Sequence, residues 1–141
     1  MTRYDVAIIG GGMGGLFAAY QLRKLDKDIS IIILDKGRKL EERNCPASKG
    51  KPCTHCKVCA ITSGLAGSGA FSDAKFNLGT ANDDTLLYAC ESKYYSLKPK
   101  HNENCEVCDG VYLIGDGSGI TRGLSQSAAM GLYVAERILN V

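Results

Sequence analysis

Six residues, Gly10-Gly11-Gly12-Met13-Gly14-Gly15, restrict what this chain can fold into more than any others. An apolar run, Val6-Ala7-Ile8-Ile9, leads into them, and a stretch with helical spacing, Leu16 to Leu25, follows. A second apolar run, Ile29 to Leu34, closes the unit on Asp35. The order is strand, tight glycine turn, helix, strand. In that setting the spacing Gly10-x-Gly12-x-x-Gly15 is a dinucleotide fingerprint. The first glycine permits the turn, the second admits a pyrophosphate to the backbone, and the third lets helix and strand pack closely. Helix N-terminal amides, including those of Met13 and Gly14, then face phosphate charge. Asp35 lies 25 residues beyond Gly10, near where a carboxylate accepts ribose hydroxyls.

At 141 residues the chain is expected to form one domain, 1–141. A net charge of +2 gives no argument for nucleic acid or for an acidic partner. The N-terminal apolar stretch is broken by Asp5 and lacks a cleavage pattern, so no secretory leader is expected. No apolar run reaches the ~18 residues that span a bilayer, so no membrane association is expected. The expected location is cytoplasmic, and there seven cysteines argue for metal or redox chemistry before structural disulfides.

In chain order, residues 5–9 read as a first strand. The run is continuous rather than alternating, as suits a strand buried on both faces. A helix is predicted over about 14–24, with Leu16, Ala19 (beside Ala18), Leu22 and Leu25 as its packing face. Residues 29–34 are a second strand. Residues 36–57 are loop-like and basic: seven Lys and Arg oppose Glu41 and Glu42, a local balance of +5. These cations, Lys36 and Arg43 among them, are either a solvated surface or partners for cofactor phosphates and cysteine thiolates. The same loop holds Cys45-Pro46 and then Cys53, Cys56 and Cys59. Thiolates two residues apart can converge on one metal. The C-x2-C-x2-C run is similar to the iron–sulfur pattern of ferredoxins, without its C-x3-C-P continuation. Three readings stand for Cys45, Cys53, Cys56 and Cys59: a zinc or iron–sulfur centre, redox-active or disulfide-forming thiols, and simple thiols.

Small residues dominate 60–70, a composition able to lie flat against a planar ring, with Phe71 and Phe76 pinning it. Asn82, Asp83 or Asp84 caps a predicted helix reaching about Tyr95. Cys105 and Cys108 form a further C-x2-C pair, which with Cys90 is a three-thiolate site, a redox dithiol or unremarkable. Val111 to Ile114 reads as a strand, 115–123 as a second glycine loop, and Ser125 to Leu139 as a helix. Its predicted inward residues are Ala128, Ala129, Leu132, Ala135 and Leu139. Two strand–glycine–helix units, one toward each end of the chain, point to one cofactor held between them.

The N-terminal DVAIIGGGMGGLFAA with its LDKG resembles the FAD-binding half-motif of two-dinucleotide-binding-domain flavoproteins. The C-terminal VYLIGDGSGITRGLSQSAAMGLYVAERIL resembles their second FAD signature. More narrowly, ERNCPASKGKPCTHCKVC followed by GLAGSGAFSDAKFNL is similar to FAD-dependent dehydrogenases with a cysteine-rich insertion after the second strand. The resemblance implies that Gly10, Gly12 and Gly15 contact the FAD pyrophosphate and that Asp35 binds the adenosine ribose. It places Gly69, Ala70 and Phe71 near the isoalloxazine. Gly115 and Asp116 would meet the flavin's ribityl side, with Ile120 and Thr121 offering backbone amides to its pyrimidine edge. Lys75 and Arg122 are either flavin-tuning cations or surface charges. Such flavoproteins are several hundred residues long and carry a substrate domain between the two halves. Here about thirty residues, 80–109, separate half-sites at 4–79 and 109–141. The chain is then expected to be a naturally reduced flavoprotein, an engineered or edited core, or a core that a partner completes.

The expected fold is α/β and Rossmann-like, formed from the N- and C-terminal halves. A small parallel sheet is flanked by helices, with the first strand between the second and the C-terminal strand. The expected function is that of a FAD-binding oxidoreductase; the alternatives are a flavin electron-transfer module and an NAD-binding protein. So small a sheet leaves edges open, and self-association or a partner subunit is expected, with a small molecule or protein as electron donor or acceptor.

Overall fold

A computed structural model describes residues 2–70, 99–121 and 123–141. The strand β1 (Val6–Ile9), the helix α1 (Met13–Leu25) and the strand β2 (Ile31–Leu34) follow one another as the glycine spacing requires. β1 and β2 pair in parallel, with Val6 opposite Ile31 and Ile9 opposite Leu34. Parallel neighbours need a crossover of a dozen or more residues, and α1 supplies it. Asp5 fixes the register at one end. Its carboxylate accepts hydrogen bonds from the Ser30 amide at 2.8 Å and the Ser30 hydroxyl at 2.5 Å. At the other end the Gly10 amide donates to the Leu34 carbonyl at 2.7 Å. The fold is α/β, a small parallel sheet flanked by helices, as the sequence predicts.

The second helix, α2 (Leu124–Leu139), is the main partner of α1. Leu22 of α1, Ala135 of α2 and Ile29 form one buried cluster, with Val6, Ile31, Ile138 and Leu139 against it. Met130, Val134 and Cys105 form another, reached by Tyr112, Ile114 and again Ile138. The helices approach through residues that have almost no side chain. A Cβ built on Gly131 would lie 2.2 Å from the Gly14 carbonyl oxygen. One built on Gly14 would lie 3.1 Å from the Gly115 amide nitrogen and 3.3 Å from the Ser127 carbonyl oxygen. Ala18 and Ala135, four residues on from each helical glycine, are also buried. Gln21 spans the two helices, its amide donating to Glu136 at 3.0 Å.

Three expectations are corrected. The buried face of α2 is Ser127, Ala128, Met130, Gly131, Val134 and Ala135, while Ala129 is exposed. Leu25 is exposed on α1, and the buried positions there are Gly14, Gly15, Ala18 and Leu22. The buried stripe runs through glycine and alanine in α1 and through serine, alanine and glycine in α2, because the helices approach to backbone distance and large side chains do not fit between them.

The third correction concerns the C-terminal strand. Val111–Tyr112 (β4) pairs antiparallel with Glu106–Cys108 (β3), and among the described residues β1 has only β2 as a neighbour. Asp109-Gly110 makes the turn, with Gly110 at φ +71°, a two-residue hairpin signal. Asn102 builds the approach to it: its side-chain oxygen accepts the amides of Asn104 and Glu106, both at 3.0 Å. Cys105 is buried here and Cys108 is exposed. Burial pushes the Cys105 thiol up, so it behaves as a small core residue. The readings that rested on Phe71, Lys75, Phe76, the helix to Tyr95, Cys90 and Arg122 fall outside the described residues.

Candidate dinucleotide-binding site

The seam between α1 and α2 brings the two glycine loops to one place. A groove of about 330 Å³ is lined by Gly10, Gly12, Met13, Gly14 and Gly15 from the first loop. Gly115, Asp116 and Gly117 line it from the second, Gly123, Leu124 and Ser127 from the start of α2, and Thr62, Ala66, Gly67 and Gly69 from the small-residue stretch. Ile9, at the end of β1, and Ile114, just before the second glycine loop, complete it. Sequence elements a hundred residues apart therefore share one concave surface.

The first glycine loop divides its work in a way the coordinates separate. Gly10 has φ +103°, where side chains are strained. Gly15 is required by packing, since a Cβ there would lie 2.3 Å from the Gly10 carbonyl oxygen. Gly12 differs from both. Its φ is −70°, an angle open to any residue, and a Cβ would meet nothing within 4 Å. Nothing in the described chain needs residue 12 to be glycine. It is also the N-cap of α1, and no side chain caps that helix or α2, whose N-cap is Gly123. Neither first turn carries an acidic residue. Two helix starts thus present uncapped amides and positive dipole ends to the groove, an arrangement suited to an anion.

Asp116 is held at the groove by a hydroxyl pair. Ser127 donates to its carboxylate at 3.1 Å and Thr121 at 3.5 Å, with the two hydroxyls 3.2 Å from each other. Ser118 donates to the Gly115 carbonyl at 2.7 Å and accepts the Ile120 amide at 3.2 Å, which closes the second loop on itself. Thr121 is buried behind Asp116, whereas the Ile120 side chain is exposed. Ser127 escaped the sequence reading. Its signal was a hydroxyl interrupting the apolar face of a helix in its first turns.

Asp35 stands behind the first loop. One carboxylate oxygen accepts the Gly11 amide at 2.7 Å and the other the Gly37 amide at 2.7 Å. Burial acts to raise its pKa, but the amides of Gly11, Gly37 and Gly64 and the charge of Lys36 outweigh it, and the group sits below its ordinary value. The carboxylate therefore ties the end of β2 to the glycine turn, with lone pairs left for hydroxyl donors. Because the folded pKa is lowered, its stabilisation is complete above the unfolded value of about 3.9 and is lost as pH falls through the folded one. Asp35→Asn is expected to lower the melting temperature at pH 7 and to narrow the gap between melts at pH 7 and pH 3. An unchanged gap would show that Asp35 contributes nothing to acid sensitivity.

Lys36 and Arg43 do not reach the groove. They line a second cavity of about 460 Å³ with Arg38, Glu42, Cys56 and Cys59. Arg43 is buried. Its guanidinium donates to the carbonyls of Ala60, Ile61, Leu65 and Gly67, at 2.7 Å to Ala60 and 2.8 Å to Gly67. It thereby shapes the loop whose Thr62, Ala66 and Gly67 wall the groove. Ala70 ends a short turn, Gly67–Ala70, beside the groove. Among the candidate metal ligands, Cys56 and Cys59 share the second cavity, while Cys45 is half-buried and Cys53 exposed. Among the described residues no three His, Cys, Asp or Glu side chains gather as a metal site. No helix among them is long and apolar enough to cross a membrane.

Compared with known protein families, residues 8–40 match an NAD(P)-binding Rossmann-like domain. The match covers the end of β1, the glycine turn, α1, β2 and Asp35. Fold and match together define a dinucleotide-binding segment of the kind oxidoreductases use. No curated protein and no solved structure matches the chain.

Proposed function

We propose that the groove binds FAD and that the chain works as a flavin-dependent oxidoreductase. The observation that carries this is Gly12, a glycine that neither backbone angle nor packing requires, standing at an uncapped helix start that opens on the groove. A ligand brought against that backbone supplies the missing reason. Gly10, Gly12 and the amides from Met13 to Gly15 would hold the pyrophosphate, and Asp35 the adenosine ribose. Asp116, aimed by Ser127 and Thr121, would take a hydroxyl of the ribityl chain. Gly69 and Ala70 would lie toward the ring system, and the backbone at Ile120 and Thr121 toward its far edge. Bound there, the flavin would supply acceptance of a hydride or of single electrons. Flavin is favoured over a bare nicotinamide nucleotide because the second glycine loop and its Asp116 line the same groove as the first.

Gly12→Ala is the direct test. The variant is expected to melt within about 1 kcal/mol of the parent, since the methyl meets nothing in the protein. FAD affinity, followed by flavin absorbance and fluorescence quenching, is expected to fall at least about tenfold, roughly 1.4 kcal/mol. Unchanged affinity would remove the argument. A colourless protein that ignores FAD but binds NAD(H) would favour the second reading, which the description of the matched domain supports. Bound flavin that is reduced without any substrate turnover would instead mark an electron-transfer module. Self-association or a partner subunit forms part of the same proposal. Its support is the exposure of Leu34 (51%) in a sheet where, among the described residues, β1 and β2 pair only with each other. A strictly monomeric holo-protein in sedimentation would count against it.

A further inference from the structure

The second cavity, which the dinucleotide reading leaves without a role, joins two features. Two thiols of a C-x2-C pair, Cys56 and Cys59, line it, and both are exposed to solvent. Lys36, Arg38 and Arg43 line it too, against Glu42 as the single carboxylate of the lining. We propose that Cys56 and Cys59 are an exchange dithiol and that this cationic cavity admits small anionic disulfides to them.

The chemistry follows from the placement. Thiol–disulfide exchange needs a thiolate nucleophile, an accessible sulfur and a second thiol close enough to resolve the intermediate. Cys59 is the attacking group. Its sulfur sits at the start of the loop that Arg43 organises through the carbonyls of Ala60, Ile61, Leu65 and Gly67. The backbone and hydroxyl of Thr62, the backbone of Ile61 and the charge of Arg43 face its sulfur. The Cys59 thiolate attacks one sulfur of the substrate, whose S–S bond breaks and expels one thiolate, leaving a mixed disulfide on Cys59. Cys56 then attacks the Cys59 sulfur and expels the second thiolate. Two electrons pass from the protein dithiol to the substrate. The products are a Cys56–Cys59 disulfide and two substrate thiolates, which take up the protons that the two cysteines release. Lys36 and Arg38 raise the local concentration of an anionic substrate and do not touch the sulfur chemistry. None of this requires a bound dinucleotide, so the proposal stands or falls apart from the groove.

The test uses the full-length reduced protein, one equivalent of dithiobis(nitrobenzoate) as the anionic disulfide, and hydroxyethyl disulfide as a neutral one. Both reagents are expected to release two thiols per disulfide consumed and to leave Cys56 linked to Cys59 in peptide maps. Cys56→Ser is expected to stop at a mixed disulfide on Cys59 with half the thiol yield. Replacing Lys36 and Arg38 together by glutamine is expected to slow the anionic reagent about tenfold while leaving the neutral one within about twofold. Earlier modification of Cys53 or Cys108 would overturn the proposal. So would equal slowing of both reagents, or a metal bound to the purified protein that blocks the reaction at Cys56 and Cys59.

Discussion

Gly131→Val is expected to lower the melting temperature by an amount on the order of 10 °C, because α1 and α2 have no room for the new side chain. Even its Cβ would lie 2.2 Å from the Gly14 carbonyl oxygen and 3.0 Å from the Ala18 amide nitrogen. These are backbone atoms and cannot swing aside as a side-chain end can. Overpacking of this kind costs about 3 kcal/mol at the upper end of what is usual, and for a domain of this size each kcal/mol moves the midpoint by a few degrees. A helical glycine gives up propensity relative to other residues, so its presence in the middle of α2 already implies a packing reason. Ala129→Val is the control. Ala129 is exposed on the same helix two positions away, and its substitution is expected to stay within about 1 kcal/mol. Thermal melts of the two variants decide the point, and a Gly131 variant as stable as the Ala129 one would refute the seam. The same variant is expected to bind FAD more weakly, because α2 and Gly115 together carry one wall of the groove.

The second large effect is expected at Arg43. Arg43→Met keeps much of the volume and removes the donors, so carbonyls at Ala60, Ile61, Leu65 and Gly67 lose their partner in a buried setting. A loss of about 3 kcal/mol is expected, since bonds from a charged donor are worth ~1.5–3 kcal/mol each but neighbouring ones do not add. Arg43→Lys is expected to recover only part of it, because one ammonium cannot replace a planar fork spread over four acceptors. Limited proteolysis between residues 60 and 67 is expected to speed up in both variants. Dinucleotide affinity is expected to drop with it, as Thr62, Ala66 and Gly67 leave the groove wall. A Met variant with parental melting and parental proteolysis would mean that the loop holds its shape without the arginine.

Arg43 also marks where sequence reasoning reached its limit. As one cation among seven in a basic loop, it read either as solvated surface or as a partner for phosphate or thiolate. Its actual acceptors are carbonyls, which sequence does not display. By contrast β1, α1 and β2 were legible because their signals are local: continuous β-branched runs and a glycine turn of fixed spacing. The convergence of the two glycine loops was legible as well, although what brings them together was not. The sequence suggested a shared sheet, and the structure uses two helices. The helix faces were legible in part: Ala18, Leu22, Ala128 and Ala135 are buried as the spacing predicts, while Leu25 and Ala129 are exposed. A search for large apolar residues at helical spacing passes over Gly14, Ser127 and Gly131, which are buried because they are small. The hairpin at Asp109-Gly110 carried its own signal, but the cysteine pair just before it drew attention to thiol chemistry, as a three-thiolate site, a redox dithiol or unremarkable thiols, in its place.

The meeting of Gly14, Gly115, Ser127 and Gly131 also limits how this chain can vary. A tight contact elsewhere in a protein usually tolerates an enlarged residue once its neighbour has been reduced, so paired changes open routes that single ones close. Three of these four positions are already glycine and have nothing left to give up. The fourth, Ser127, is committed through its hydroxyl to Asp116. Compensation within the quartet is exhausted, and only a displacement of a whole helix would accommodate a larger residue. Variants selected for tighter helix packing or altered ligand preference should therefore accumulate around these positions and leave the four themselves unchanged.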